Sequence, residues 1–280
     1  MTPLMFTLVT FGISLGAGLL GSLLGLGGGI IVVPALTLLL KIDIRYAIGA
    51  SIVSVIATSS GAAAAYVKEH MTNLRVAMLL ELGTTTGALT GAFLAAVIAG
   101  RWLFIIFGVM LGYSALAMFR KRHDVAGIDV PPDRLADWLA LHDSYLDQSI
   151  HQTISYRVTH TWLGLGLMYI AGMVSGLLGI GSGALKVPAM DLTMRLPIKV
   201  STATSNFMIG VTAAASAGVY FARGYIDPFV AAPVAAGVLI GATAGSHLLA
   251  KVTSASIRIV FIIVLLWISF EMLWKGVRGS

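Results

Sequence analysis

The stretch Gly25-Leu26-Gly27-Gly28-Gly29-Ile30-Ile31-Val32-Val33-Pro34-Ala35 and its near copy Gly179-Ile180-Gly181-Ser182-Gly183-Ala184-Leu185-Lys186-Val187-Pro188-Ala189 decide how the rest of the chain is read. They lie 154 residues apart. With that shift the chain aligns with itself without a gap from about 21 to 118, so that Ser51 falls on Ser205, Tyr66 on Tyr220, and Gly83, Gly87 and Gly91 on Gly237, Gly241 and Gly245. Apolar sequences resemble one another by composition. A gapless register shared by glycine, proline, serine and tyrosine asks for more than that, and we read it as a duplication.

The surroundings of the two stretches are apolar. Of the 280 residues, 58% are hydrophobic and 11% charged, where a soluble domain carries about 25% charged residues. The mean hydropathy is +0.93. No single water-soluble core hides that much apolar surface, whereas a bilayer accepts helices of roughly 20 apolar residues. Apolar segments are expected at about 4–24, 30–40, 46–67, 76–99 and 102–119, and again at about 161–180, 184–194, 200–222, 228–250 and 257–274. Between the sets, about 120–160 is polar and holds six of the twelve acidic residues. The expected organisation is a first transmembrane repeat over 1–119, a polar loop over 120–160 and a second transmembrane repeat over 161–280. The first apolar stretch lacks a basic start and runs on too long for a leader, so it is kept as a span. The net charge of +6 and the pI of about 9.7 do not point to nucleic acid, because the basic residues sit between apolar segments, where they set membrane orientation. Arg120-Lys121-Arg122-His123, directly after a span, places the polar loop in the cytoplasm. There are no cysteines, which excludes disulfides, thiolate metal sites and cysteine nucleophiles.

The fold expected is an all-α polytopic membrane protein with two homologous repeats of four or five hydrophobic helices each. The segments 30–40 and 184–194 are short. Eleven helical residues reach about 16 Å, roughly half the hydrocarbon thickness. Each follows a glycine cluster and contains a proline, so each is a candidate half-helix, broken or re-entrant. If both cross, each half has five spans and the halves are inverted. If both re-enter, each half has four and the halves are parallel. We favour inversion. In the loop, Pro131-Pro132-Asp133 reads as the start of a short helix with Leu135, Trp138 and Leu139 on one face, and 144–147 with 153–158 as a small hairpin. His142, His151 and His160 fit no metal-ligand spacing and read as solvated.

Glycine lets a backbone turn, tolerate positive φ and approach a ligand closely. A helix starting after it offers free N–H groups and a partial positive end to an anion. Gly27, Gly28 and Gly29, with Gly181, Ser182 and Gly183, are therefore the first substrate-binding candidates, with Pro34 and Pro188 as helix breaks. The alternative is close helix packing through small residues, which is how Gly83, Gly87 and Gly91 and their counterparts are read. Lys186 stands at bilayer depth, where a lysine costs about 2.5–3.5 kcal/mol on insertion scales. It either attracts an anion or snorkels or pairs with Asp191. Thr204, Ser205 and Asn206, with Ser51 in the other half, supply neutral donors for oxyanion oxygens, unless they bond their own helix carbonyls. Glu81 and Asp191 are candidates for proton coupling. For Glu81 the alternative is a headgroup-depth pair with Arg75. His247 is read as structural.

The glycine stretch running into Val33-Pro34-Ala35, its copy from Gly176 to Gly183 with Val187-Pro188-Ala189, and Ala203-Thr204-Ser205-Asn206-Phe207 resemble the TauE/SafE sulfite exporter family. So do Tyr145-Leu146-Asp147 and Tyr156-Arg157-Val158 of the loop. The resemblance covers nearly the whole chain. It implies transport of small anions, mostly sulfur oxyanions and organosulfonates such as sulfite, sulfoacetate and sulfate, across a bacterial inner membrane, with protons as a candidate coupling ion and no cofactor. Two positions depart from the family pattern: Ser182 stands where glycine is common, and Ala50-Ser51 where a threonine-serine pair is frequent. The mechanism expected is alternating access, in which one half rocks against the other around a site near the midplane. An anion channel shares the chemistry without the coupled cycle. A hydrolase using Ser182 and His247 has no nucleophile turn to support it, and no enzyme activity is expected. The partners expected are a small anion and the lipid bilayer; oligomeric state stays open.

Overall fold

A computed structural model describes residues 2–24, 27–68, 71–120, 132–147, 152–249 and 254–278. The described chain is mainly helical. Helices α1 (Pro3–Leu24), α2 (Gly29–Pro34), α3 (Ile44–Lys68), α4 (Leu74–Val97) and α5 (Gly100–Arg120) precede the polar segment. After it come α7 (Thr161–Leu178), α8 (Gly183–Pro188), α9 (Ile198–Ala222), α10 (Pro228–Leu249) and α11 (Ser254–Arg278). Helices α1, α4, α7 and α10 each contain a stretch long and apolar enough to cross a membrane. The large apolar side chains left exposed, among them Leu8, Phe93, Val109, Ile170, Ile240 and Phe270, lie on the outer helices. In water that would be a liability; against lipid it is the expected surface.

Three packings organise the bundle. Gly83, Gly87 and Gly91 of α4 press on the backbone of Leu165, Tyr169 and Met173 of α7, in the same rising order, so the two helices run in one direction. Gly237, Gly241 and Gly245 of α10 meet Phe11, Leu15 and Leu19 of α1 in the same way. A Cβ at Gly87 or Gly91 would run into the carbonyl oxygens of Tyr169 and Met173. Absent side chains thus let backbones touch, the usual device where lipid supplies no hydrophobic drive between helices. The third packing is α3 against α9 at the centre, running opposed: Gly49 sits at Tyr225 and Ser59 at Gly210. Helices α5 and α11 are opposed as well, with Gly108 at Ser269 and Leu273, and Gly276 at Arg101 and Ile105.

The short helices α2 and α8 do not end at their prolines. Each passes through Pro34 or Pro188 into a π-helical turn, Ala35–Leu39 and Ala189–Thr193. Proline has no N–H to give and its ring crowds the carbonyl one turn back, so a wider turn accommodates it. The interruption expected at the prolines therefore falls at the glycines before them, and the prolines mark a change of pitch.

The polar segment forms a small module on one end of the bundle. Asp133 caps α6 (Arg134–Trp138) by accepting from the N–H groups of Leu135 and Ala136. Strands β1 (Asp143–Asp147) and β2 (Gln152–Tyr156) pair antiparallel, Tyr145 opposite Ile154. Among the described residues this hairpin is the one departure from an all-α chain. Asn73 ties the module to the start of α4: its Nδ2 donates to Leu141 O and to the Tyr156 hydroxyl at 2.9 Å each. Burial holds the Tyr156 hydroxyl in its protonated form by pushing its pKa up. Of Leu135, Trp138 and Leu139, expected on one face of α6, Trp138 is 80% exposed. The helix has only five residues and packs through Ala136, with Leu141 following. His142 Nδ1 accepts from the Val158 N–H at 3.0 Å, so Nε2 carries the ring proton and donates to Asp137 Oδ1 at 2.8 Å. His151, Gly25, Leu26 and Lys121 to His123 lie outside the described residues, as do the side chains of Tyr66 and His247.

Candidate functional site at the paired glycine breaks

The chain turns before α2 through Gly27, at φ +68°, and before α8 through Gly179, Gly181 and Ser182, at φ +66°, +74° and +53°. Positive φ suits glycine and costs a side-chain-bearing residue about 1–2 kcal/mol, so Ser182 is a strained choice. Both turns are buried and meet at the centre of the molecule. A Cβ on Gly27 would touch Ile209 and Val55; one on Gly181 would touch the same two residues. Val55 of α3 and Ile209 of α9 are thus wedged between the breaks. Ser51 stitches them: its hydroxyl donates to Gly179 O at 2.6 Å, and Gly29 packs against both.

Around this point lie polar groups that the fold does not satisfy. The Ser182 Oγ is buried and has no partner among the described residues, and neither amide atom of Asn206 has one. A buried amide left unpaired costs several kcal/mol on apolar transfer scales, so such atoms mark a place where something else binds or where the protein changes shape. Other hydroxyls of α3 are spent on carbonyls: Ser54 on Ser51 O and Thr58 on Ser54 O within the helix, and Ser59 on Asn206 O of α9 at 2.6 Å. Ser205 is fully buried. Thr204 is not brought to the breaks. It accepts from the Asn73 N–H at 3.1 Å, at the end of the bundle where the polar module sits.

Lys186 is fully buried and does not snorkel. Side chains on a helix lean toward its N-terminus, which carries the ammonium back toward the break. Its Nζ donates to Thr212 Oγ1 of α9 at 2.6 Å. The Thr212 oxygen lies 2.7 Å from Glu81 Oε1 of α4, which also accepts from Thr85 at 3.0 Å. Glu81 is therefore drawn inward, while Arg75, its alternative partner, donates to Ala140 O in the polar module. Asp191 lies on the π-helical turn 189–193 and is partly buried. Thr212, Val55 and Ile209 are not among the residues singled out from the sequence. Thr212 and Thr58 do share the repeat register, as do Val55 and Ile209, and that was the available signal.

The sulfite exporter TauE/SafE family model matches residues 10–272. The chain belongs to this family. It is 27% identical over 268 residues to the probable membrane transporter protein YunE of Bacillus subtilis, covering 93% of this chain and 95% of that one. A probable membrane transporter protein of Xylella fastidiosa is 26% identical over 276 residues, with 96% and 95% covered. The probable membrane transporter protein MJ0441 of Methanocaldococcus jannaschii is 24% identical over 257 residues, with 86% of each chain covered. No solved structure matches. This family member is a membrane transporter, and its long apolar helices and lipid-type outer surface agree with that.

Proposed function

We propose that the chain is a secondary transporter that carries small anions, of the sulfur oxyanion and organosulfonate class, by alternating access across a bacterial inner membrane. One observation carries this reading: two interrupted helices meet back to back at Val55 and Ile209, and beside them lie a buried lysine and the unpartnered donors of Ser182 and Asn206. Donors of this kind replace the water of an anion without adding more than one fixed charge. Gly27, Gly28, Gly29, Gly181, Gly183, Ser51 and Ser205 shape the place, and Thr204 guards its approach from the end bearing the polar module.

The rocking unit we infer is a pair of inverted repeats. Elements separated by 154 residues share their starts: α2 and α8 at 29 and 183, α3 and α9 at 44 and 198, α4 and α10 at 74 and 228. The counterparts α3 and α9 run antiparallel, as do α5 and α11, which supports inversion over parallel repeats. The basic run Arg120 to His123 supports a cytoplasmic polar segment.

Uptake of labelled sulfite, sulfoacetate, thiosulfate and sulfate into proteoliposomes, with and without a pH gradient, tests the proposal. At least one anion should enter the vesicles and be accelerated by the same anion on the far side, and Lys186→Ala should abolish uptake in protein that keeps its elution profile and helical circular dichroism. Unchanged uptake by Lys186→Ala removes the lysine from the site. An ohmic current without trans-acceleration makes the chain a channel.

A further inference from the structure

We propose that Glu81 is an internal counter-anion of the transport site: bridged to Lys186 by Thr212 while the site is empty, it is displaced by the substrate anion and leaves Lys186 as a neutral, protonated acid. This rests on the anion reading above and names the ion exchanged at that site.

The geometry is a chain of three side chains from three helices, Lys186 on α8, Thr212 on α9 and Glu81 on α4. One hydroxyl joins a cation to a carboxylate in a place closed to water, since Lys186 and Thr212 are both fully buried. A second anion cannot be added cheaply to such a cluster. Lysine plus glutamate is neutral, and an extra negative charge in a poorly screened interior is repelled by Glu81 and must also shed its water. If Glu81 takes a proton as the anion arrives, a monoanion leaves the net charge of the cluster unchanged, and a dianion such as sulfate brings it to one negative charge rather than two. One O–H bond forms on Glu81 and one breaks in a hydronium ion of the bulk solution, which is left as water.

The cluster has room for that step. Glu81 Oε2 is buried and has no hydrogen-bond partner among the described residues, so it is a free oxygen on which a proton can sit. Oε1 keeps its bond from Thr85. Thr212 has one hydroxyl proton and two acceptors in reach, Glu81 Oε1 at 2.7 Å and Met208 O at 2.9 Å. It can let Glu81 go and turn to its own helix without losing a hydrogen bond. Ser182, whose free Oγ stands one turn before Lys186 on α8, is placed to bond the incoming anion.

Other ionisable side chains on the packed elements have their own places. Asp191 follows Lys186 on the π-helical turn, and Lys199 opens α9; neither is without a partner. Arg75 is held by the polar module. On α7, Tyr169 lies against Thr90, and Tyr113 of α5 faces outward, half-exposed. Arg223 at the far end of α9 donates to Ala92 O.

The test counts protons. Full-length protein in detergent and weak buffer is mixed with sulfoacetate, thiosulfate or sulfate, none of which titrates near neutral pH. Binding is measured by calorimetry and proton uptake by a pH dye on the same samples. For an anion that binds, about one proton is taken up per anion, and the Kd rises about tenfold per pH unit where Glu81 is ionised in the free protein. Glu81→Gln abolishes the uptake and flattens the pH dependence. Should that variant fail to fold, the wild-type count decides alone. Binding without proton uptake overturns this inference and leaves the anion reading standing. Failure of all three anions to bind overturns both.

Discussion

The two broken-helix regions are built alike and charged differently. Around 29–39, the buried Val32 lies where the other region has Lys186, Thr58 where it has Thr212, and Ala235 where it has Glu81. Thr58 donates to Ser54 O at 2.9 Å, and Thr212 has Met208 O within reach at the same distance beside Glu81 Oε1 at 2.7 Å. The two threonines occupy the same place in the repeat, and only in the second region do a lysine and a glutamate hang from it. The backbone of a break is thus compatible with a wholly apolar lining. The ions are an addition to the architecture, held at a cost that packing does not explain, and this is why we place the proposed chemistry on them.

Rewriting the second region with the residues of the first is the sharpest way to break the comparison. Lys186→Val alone strands Glu81 as a buried carboxylate and should lower stability by about 3–5 kcal/mol, read as a fall in the midpoint of thermal unfolding in detergent. Adding Glu81→Ala should recover most of that loss while uptake stays absent. A double variant as unstable as the single one would mean that the pair holds the fold rather than the substrate.

The glycines divide in a similar way. At Gly181, φ is +74° and a Cβ would stand 2.8 Å from Val55 Cγ1; at Gly28, φ is −57° and the nearest atom, Val238 Cγ1, is 3.3 Å away. Gly181→Ala should therefore cost about 2–4 kcal/mol from strain and overpacking, and Gly28→Ala under about 1 kcal/mol. Equal effects would show that the two breaks relax alike and that the left-handed turn is not a constraint. The next effect is smaller and of opposite sign. Ser182 is the N-cap of α8 yet caps nothing with its side chain, and it sits at φ +53°. Ser182→Gly should stabilise the protein by about 1 kcal/mol and weaken anion binding several-fold, a trade of stability for affinity visible as a higher melting midpoint with a higher Kd.

Much of this plan was legible in the sequence for a physical reason. Helix boundaries within a bilayer are set by apolar length, so the ten expected segments fall within a few residues of α1 to α5 and α7 to α11. Adjacent glycines such as Gly27-Gly28-Gly29 mark a turn, where glycines four apart mark a packed helix face, and Asp133 after Pro131-Pro132 marked α6. What stayed hidden depends on contacts between distant parts of the chain. No local pattern tells that Glu81 turns to α9 and not to Arg75 one and a half turns before it, nor that Thr204 is drawn to Asn73 while Asn206 is left bare. The prolines misled about where each short helix is interrupted because a π-helical turn is a response to ring crowding that leaves no mark in composition. The shared face of Leu135, Trp138 and Leu139 is not buried as a unit, because five residues are too few to define a face.

The smallest effect concerns how each region is entered. Helix α1 begins with a local contact, the Met5 N–H donating to Thr2 Oγ1 at 3.3 Å. Helix α7 begins with a distant one: the Thr161 N–H donates to Asp133 Oδ2 at 2.7 Å, while Asp133 Oδ1 caps α6. Partial burial alone would push the Asp133 carboxyl up, but the bonds from Thr161, Ala136 and Leu135 together outweigh it and hold it below its ordinary value. A carboxylate whose folded pKa is depressed contributes stability that is present above its unfolded pKa of about 3.9 and lost as the pH falls through the folded value. Asp133→Asn keeps one acceptor and removes the charge, and should cost about 1 kcal/mol near neutral pH. Unfolding of the two proteins followed by circular dichroism from pH 6 to pH 3 should show their difference shrinking as the pH falls below about 4. A difference that persists unchanged at pH 3 would mean that the charge of Asp133 does not secure the entry to the second region, and that this region is anchored by the Thr159 N–H on Met194 O, at the end of the helix that carries Lys186.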